Sequence, residues 1–189
     1  MNLQSVYIIL LMTIAINCSA ESNKVAILYS DVMLEHRTGE NHPEKPERLS
    51  SAVSAVKKNN ALSKYFIWPA ITKASNDYIQ LAHTDDYINL VKSEVERLDG
   101  DQQVLLSTGD VVISKDSEEA ARFAVGAGIA GIDQIMAKKA ASAFALVRPP
   151  GHHATSTRGM GFCVYNNIAV AAKYLQKEYG LKRILIVDY

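Results

Sequence analysis

Two adjacent histidines, His152 and His153, lie in the run Arg148-Pro-Pro-Gly-His-His-Ala-Thr-Ser-Thr-Arg-Gly-Met-Gly-Phe-Cys-Val-Tyr-Asn-Asn167. Imidazole is the side chain that gives and takes protons near neutral pH. Two of them on a loop framed by proline and glycine can meet a substrate with two titratable nitrogens at nearly one point, an arrangement suited to general acid–base chemistry. Cys163 lies close by, but a lone cysteine here reads as a small packed residue rather than a nucleophile.

Such a loop needs a scaffold. Upstream, Ala143–Val147 is a short apolar run that reads as a buried strand, and downstream Asn167–Tyr179 reads as a helix with Gly180 at its end. Ile184–Val187 reads as a second buried strand ending at Asp188. Strand, helix, strand with continuous apolar strands predicts a parallel sheet covered on both faces. The expected class is α/β, a three-layer α/β/α sandwich with a mainly parallel sheet. Loops after strand carboxyl ends build the sites of such sheets, so neighbouring parallel strands would bring His152 or His153 close to Asp188.

The remaining elements follow from periodicity and punctuation. Val25–Tyr29 is the expected first strand, and the polar stretch Asp31–Pro46 a loop. Glu47–Asn60 carries Leu49, Val53 and Val56 at helical spacing behind Pro46, and Phe66–Trp68 suits a short strand. Asn76–Ala82 and Asp85–Leu98 are helical behind the N-caps Ser75 and Thr84, with Gly100 closing the second. Asp116–Met136 is the clearest helix, with Asp116 and Glu119 spaced as a capping box. Its face of Ala120, Ala124, Ala127, Gly128 and Gly131 permits close packing against a neighbour.

Composition bounds the function. With 20 Lys+Arg against 20 Asp+Glu in 189 residues the net charge is zero, so no basic stripe points to nucleic acid. Residues Met1–Ala20 carry no charged side chain and hold the apolar block Val6–Ile16 followed by small residues. This predicts a secretory signal peptide, hence a secreted or periplasmic protein, with an uncleaved membrane anchor as the alternative. Cleavage after Ala20 would leave Cys163 alone, without a disulfide within the chain.

The His-His block with Gly161-Phe162-Cys163 and Asn166-Asn167 resembles the histone deacetylase superfamily, including the bacterial acetylpolyamine amidohydrolases and acetoin-utilisation-type proteins. His42-Pro43-Glu44-Lys45-Pro46-Glu47-Arg48-Leu49, His83-Thr84-Asp85-Asp86-Tyr87 and Asp110-Val111-Val112-Ile113-Ser114 agree in order. The early loop looks more like the bacterial and class II branch. The resemblance covers Val25 to Tyr189 and implies an arginase/deacetylase-like fold and a zinc-dependent hydrolase of acylated lysine side chains, polyamines or similar amines. It implies that His152 and His153 act on the zinc-bound water and the leaving amine. Asp188 would hydrogen-bond the first histidine, fix its tautomer and help bind a monovalent cation such as K+. It further implies Phe162 and Gly151 as opposite walls of a narrow channel, and Asp86 (or Asp85) as a substrate contact at the rim.

One departure stands out. In the resembling family the strand ending Val187-Asp188-Tyr189 runs on into an Asp-x-His that supplies two zinc ligands, and a third aspartate and an oxyanion-stabilising tyrosine or histidine come later. None of these is present in this sequence. The expectation is therefore that residues 21–189 form the N-terminal part of a deacetylase-like domain, lacking the zinc ligands, inactive alone and exposing an apolar edge at Ile184–Val187. A non-catalytic remnant that binds an acylated ligand is the alternative. His36, His42 and His83 read as structural or turn residues; a His36–His42 metal pair matches no standard ligand spacing.

Overall fold

The computed structural model describes residues 23–188, so the signal peptide expected over residues 1–20 lies outside the described residues. Within them no helix is long and apolar enough to cross a membrane. Three short strands, β1 (Val25–Leu28), β2 (Phe66–Ile67) and β5 (Ser142–Ala145), form a parallel sheet in the order β2-β1-β5. A separate antiparallel hairpin joins β3 (Val104–Leu105) to β4 (Val112–Ile113).

Side chains alternate across a strand, and β1 uses both faces. Ile27 clusters with Leu49 and Val53 of helix α1 (Pro46–Lys58). Ala26 and Leu28 cluster instead with Ala127 of the long helix α5 (Ser117–Met136). Helices thus cover both faces of the central strand, and the three-layer α/β/α expectation is met. Helix α6 (Asn167–Tyr179) packs on α5, and Gly180 ends it in the left-handed conformation at φ 67°, the C-terminal cap that its sequence announces.

The small-residue face of α5 is a packing surface, as expected. A Cβ on Gly131 would stand 3.0 Å from Cβ of Ala143, and one on Gly126 only 1.9 Å from the Thr72 carbonyl oxygen. Gly126 thus marks a backbone-to-backbone approach, supported by the Ala74 N–H donating to the Arg122 carbonyl at 3.1 Å.

Several local expectations are corrected. Asp31–Glu35 is a 3-10 helix within the expected loop, with the Ser30 side chain accepting from the Val32 N–H. Helices α2 (Asn60–Ser63) and α3 (Asn76–Ile79) are single turns, so the segment expected to run to Ala82 stops early. Helix α4 (Asp85–Val95) is capped by the Thr84 side chain as predicted, but ends before Gly100. The Asp116–Glu119 capping box does not form: Asp116 makes no capping bond and Glu119 pairs with Lys73 at 3.1 Å. Strand β5 is not buried; among the described residues it has β1 on one side only, and Phe144 is 53% exposed. Ile184–Val187 is no strand: it lies along an apolar groove of 330 Å³ beside α5, α6 and β5 without joining the ladder. The apolar run is exposed, with Leu185 84% and Val187 72% exposed, but it forms no sheet edge.

Candidate functional site

The histidine loop leaves the carboxyl end of β5, where parallel sheets present their loops. Arg148 anchors it from below. Its guanidinium is 2% exposed and forms a two-pronged ion pair with Glu44, Nε to Oε1 at 2.9 Å and Nη2 to Oε2 at 3.0 Å. It also donates from Nη1 to the Met33 carbonyl at 3.0 Å. Planar bidentate pairing of this kind fixes orientation as well as charge. His36 completes the buried cluster, with Nδ1 2.7 Å from the Ser117 hydroxyl and Nε2 3.7 Å from Glu44. Burial first, then the nearby Arg148 guanidinium and the His42 ring, push its pKa down to about 3, so it is neutral at pH 7.

Above this base His152 and His153 lie side by side, ring centroids 4.1 Å apart. Asp188 reaches His152, although the run before it is not the strand that the expectation required: Nδ1 donates to the carboxylate, 2.9 Å from Oδ2 and 3.1 Å from Oδ1. A carboxylate at Nδ1 selects the Nδ1–H tautomer and leaves the Nε2 lone pair facing outward. A cavity of 310 Å³ opens beside this pair, lined by Gly151, His152, Asn167, Ile186 and Asp188 among others. Gly151 is a requirement of close packing, since a Cβ there would meet Oδ1 of Asn167 at 2.4 Å.

Phe162 stands apart from that cavity. Gly161 and Phe162 both have positive φ, 58° and 67°, and Cys163 N–H donates to the Met160 carbonyl at 3.0 Å, which makes a tight turn of the left-handed kind. The turn presents the Phe162 ring edge-on to His42 at 4.6 Å, while Gly161 lies against the His153 ring. Phe162 is not among the residues that line the cavity beside Gly151 and His152. Asp86 is exposed in the first turn of α4, and among the described residues no hydrogen bond or ion pair joins it to the histidines. The start of α4 is nevertheless tied to the loop by the Thr84 N–H donating to the Ser156 carbonyl at 2.9 Å. Asp85 accepts from Gln80 instead.

The other histidines are structural, as read from the sequence. His42 Nδ1 accepts from the Glu44 N–H at 3.1 Å, a local turn bond. His83 is 4% exposed, accepts from the Asn166 N–H through Nε2 at 2.8 Å and so seats the start of α6 under the loop. Burial lowers its pKa to about 4, against the opposing pull of the Ser156 and Thr155 carbonyls. Cys163 is fully buried, and burial raises its thiol pKa, which suits packing rather than reactivity. The Glu44–Arg148 pair went unassigned in the sequence, where an arginine closing the run Ala143–Val147 was the one available signal.

Zinc finds no ligand set here: among the described residues no group of three or more His, Cys, Asp or Glu side chains could hold a metal ion. A structural zinc takes four protein ligands and a catalytic one about three. Asp188, whose carboxylate is in contact with the histidine pair, is engaged with His152 Nδ1.

Fold and site together define an α/β protein with a His–His–Asp cluster at the carboxyl end of a parallel strand. A sequence model described as the histone deacetylase domain matches residues 42–189, and the chain belongs to that family. It is 37% identical over 87% of its length to an uncharacterized protein of Synechocystis, of which it covers 53%. It is 36% identical to histone deacetylase 5 of Arabidopsis thaliana over 88% of its length, and 35% identical to the mouse polyamine deacetylase HDAC10 over 87%. Those alignments cover 26% and 25% of the two relatives. The crystal structure of the HDA15 HD domain superposes with a TM-score of 0.73 at 27% identity, covering 83% of this chain and 44% of that one. The chain thus spans about half, or less, of the relatives it matches.

Proposed function

We propose that this chain supplies the proton-transferring part of a deacetylase site that hydrolyses acylated amines, either acetyl-lysine side chains or acetylpolyamines. The observation that carries the reading is the His152 Nδ1–Asp188 contact at 2.9 Å with the His153 ring 4.1 Å away. Amide hydrolysis joins a water oxygen to the carbonyl carbon and breaks the carbon–nitrogen bond, leaving an acid and an amine. His152, held by Asp188, takes the water proton at Nε2, and His153 gives a proton to the departing nitrogen. Phe162 flanks the acyl-amine stem, with Asp86 at the rim. The names of the relatives, histone and polyamine deacetylases, support this substrate class.

Zinc, expected of the family, is on this reading held by groups other than those the described residues bring together, and the 189-residue chain by itself is inactive. The leader read in residues 1–20 directs the activity to acyl-amines outside the cytoplasm rather than to chromatin. A second reading is an acyl-amine binding protein without turnover.

The test uses the native protein from the cells that make it, assayed with a fluorogenic acetyl-lysine peptide and with an N-acetylpolyamine, its zinc measured by elemental analysis. His153→Ala should lower turnover by about a hundredfold or more with an unchanged circular dichroism spectrum. Undiminished turnover would remove His153 from the reaction, and binding without turnover in the native protein would establish the second reading. The 189-residue chain purified alone should carry no stoichiometric zinc, and one tightly held zinc per chain would overturn the proposal about its ligands.

A further inference from the structure

We infer that Asp110, at the tip of the β3–β4 hairpin, is a positioning residue for His153 and acts through the Gly161 backbone; its catalytic purpose rests on the deacetylase reading above. The hairpin has two paired residues on each strand; Val104 and Leu105 are exposed, while Leu106, Val111 and Ile113 are buried in the main core and hold its base. Its tip instead grips the segment that follows the histidines. Arg158 Nε donates to the Thr108 carbonyl at 2.7 Å, the Gly159 N–H to the Thr108 hydroxyl at 3.1 Å, and the Gly161 N–H to Oδ1 of Asp110 at 2.7 Å. Two glycines permit this approach: a Cβ on Gly109 would stand 2.6 Å from the Gly159 carbonyl oxygen, and one on Gly159 2.7 Å from the Tyr87 hydroxyl. The tip is itself held from α4, where Glu94 accepts from the Ser107 N–H at 3.0 Å and from the Ser107 hydroxyl.

Gly161 transmits this restraint. A Cβ there would lie 2.4 Å from Cδ2 and 2.7 Å from Cγ of His153, so bare backbone is pressed against the imidazole. Where Gly161 sits decides where the His153 ring sits, and hence its placement against His152. The turn also needs support, because Phe162 is held at a φ of 67° that a bulky side chain disfavours. A charge-assisted bond from the preceding N–H to an exposed carboxylate offsets that preference. Without it the turn relaxes and carries Gly161 off the ring.

The experiment compares Asp110→Ala with Asp110→Asn in the full chain, since asparagine keeps an oxygen that can accept from Gly161. Nuclear magnetic resonance reads the exchange rate of the Gly161 amide and the Overhauser contact between Gly161 Hα and His153 Hδ2. D110A should speed Gly161 exchange about tenfold and lose the contact, while D110N keeps both. In the native protein D110A should lower kcat about tenfold with KM changed less than about twofold, and D110N should restore kcat. An unchanged Gly161 amide and contact in D110A would overturn the inference whatever the activity does, as would a D110N variant that behaves like D110A. Resonance differences as expected, in a native protein that turns over no acyl-amine, would support the positioning role and sink the deacetylase reading.

Discussion

Consider Glu44→Gln, a change of one atom beneath the histidine loop. The Glu44 carboxylate is 3% exposed and meets both prongs of a guanidinium that is 2% exposed, at 2.9 and 3.0 Å. Glutamine preserves the shape and one accepting oxygen, but leaves the Arg148 charge buried without its counter-charge, with the Met33 carbonyl at 3.0 Å and that of Leu34 at 3.5 Å as its other acceptors. Removing one member of a buried pair costs about 3–5 kcal/mol, a large share of the roughly 5–15 kcal/mol that holds a domain folded. In urea, with a slope of about 2 kcal/mol per molar, the unfolding midpoint read by circular dichroism should fall by about 2 M. Salt should barely change the difference, because the pair is shielded from mobile ions. The double variant Glu44→Gln with Arg148→Met has no buried charge at this place and should be less destabilised than the two single changes summed, by about 2 kcal/mol. A midpoint drop under about 0.5 M, or strictly additive single changes, would refute the reasoning that this pair is desolvated and interdependent.

Asp188→Asn, in the native protein, should lower deacylation by about two to four orders of magnitude by losing the Nδ1–H tautomer of His152; steady-state turnover on an acetyl-lysine peptide checks it, and a loss under tenfold would count against the His152–Asp188 pair. Gly126→Ala should destabilise by about 1–3 kcal/mol, since its Cβ would fall 1.9 Å from the Thr72 carbonyl, whereas Gly128→Ala, with Cβ at 3.5 Å from Ala171, should be neutral or mildly stabilising; thermal melts of the two variants separate these outcomes. Both His36 and His83 have folded pKa values, about 3 and about 4, below the ordinary value of about 6.5 for an unfolded chain. The unfolded state therefore binds more protons below pH 6.5, so stability is full above that pH. As pH falls from about 6.5 to about 4 stability should drop by up to about 1.4 kcal/mol per pH unit for each histidine, and urea midpoints at pH 7, 6 and 5 that do not decline would contradict their burial as neutral rings.

The parts of the fold that could be read in advance were those written as local repeats. Leu49 and Val53 on α1, the alanine face of α5 and the Gly180 stop of α6 each leave a periodic or positional mark, and all appear where the pattern put them. Misreadings came where a local signal competed with a partner far along the chain. Glu119 gave up its capping bond for Lys73, 46 residues away. Ala143–Val147 looked buried because small apolar strands usually have neighbours on both sides, yet β5 has one. Within the site, the sequence places Asp188 near His152 by neighbouring parallel strands; the contact forms, but through a run that joins no ladder. Glu44–Arg148 and Asp110–Gly161 join positions 104 and 51 residues apart, and single side-chain bonds at such separations leave no trace in spacing.

The run from residue 181 to 188 carries a further consequence. Among the described residues it makes one backbone–backbone hydrogen bond, from Leu181 to the Leu175 carbonyl at 3.4 Å, and none beyond it. Asp188 therefore meets His152 as the end of a tether rather than as a rung of a ladder. The strength of that meeting is then an effective concentration, set by how many conformations the seven residues before it can take. Each residue fixed in one backbone conformation gives up about 1–2 kcal/mol of entropy, so a polypeptide that zipped onto the open side of β5 and this run would meet that cost in advance. Edge pairing and the orientation of a catalytic imidazole would become one equilibrium, and covering the sheet would be felt, several ångströms away, as a better-aimed base.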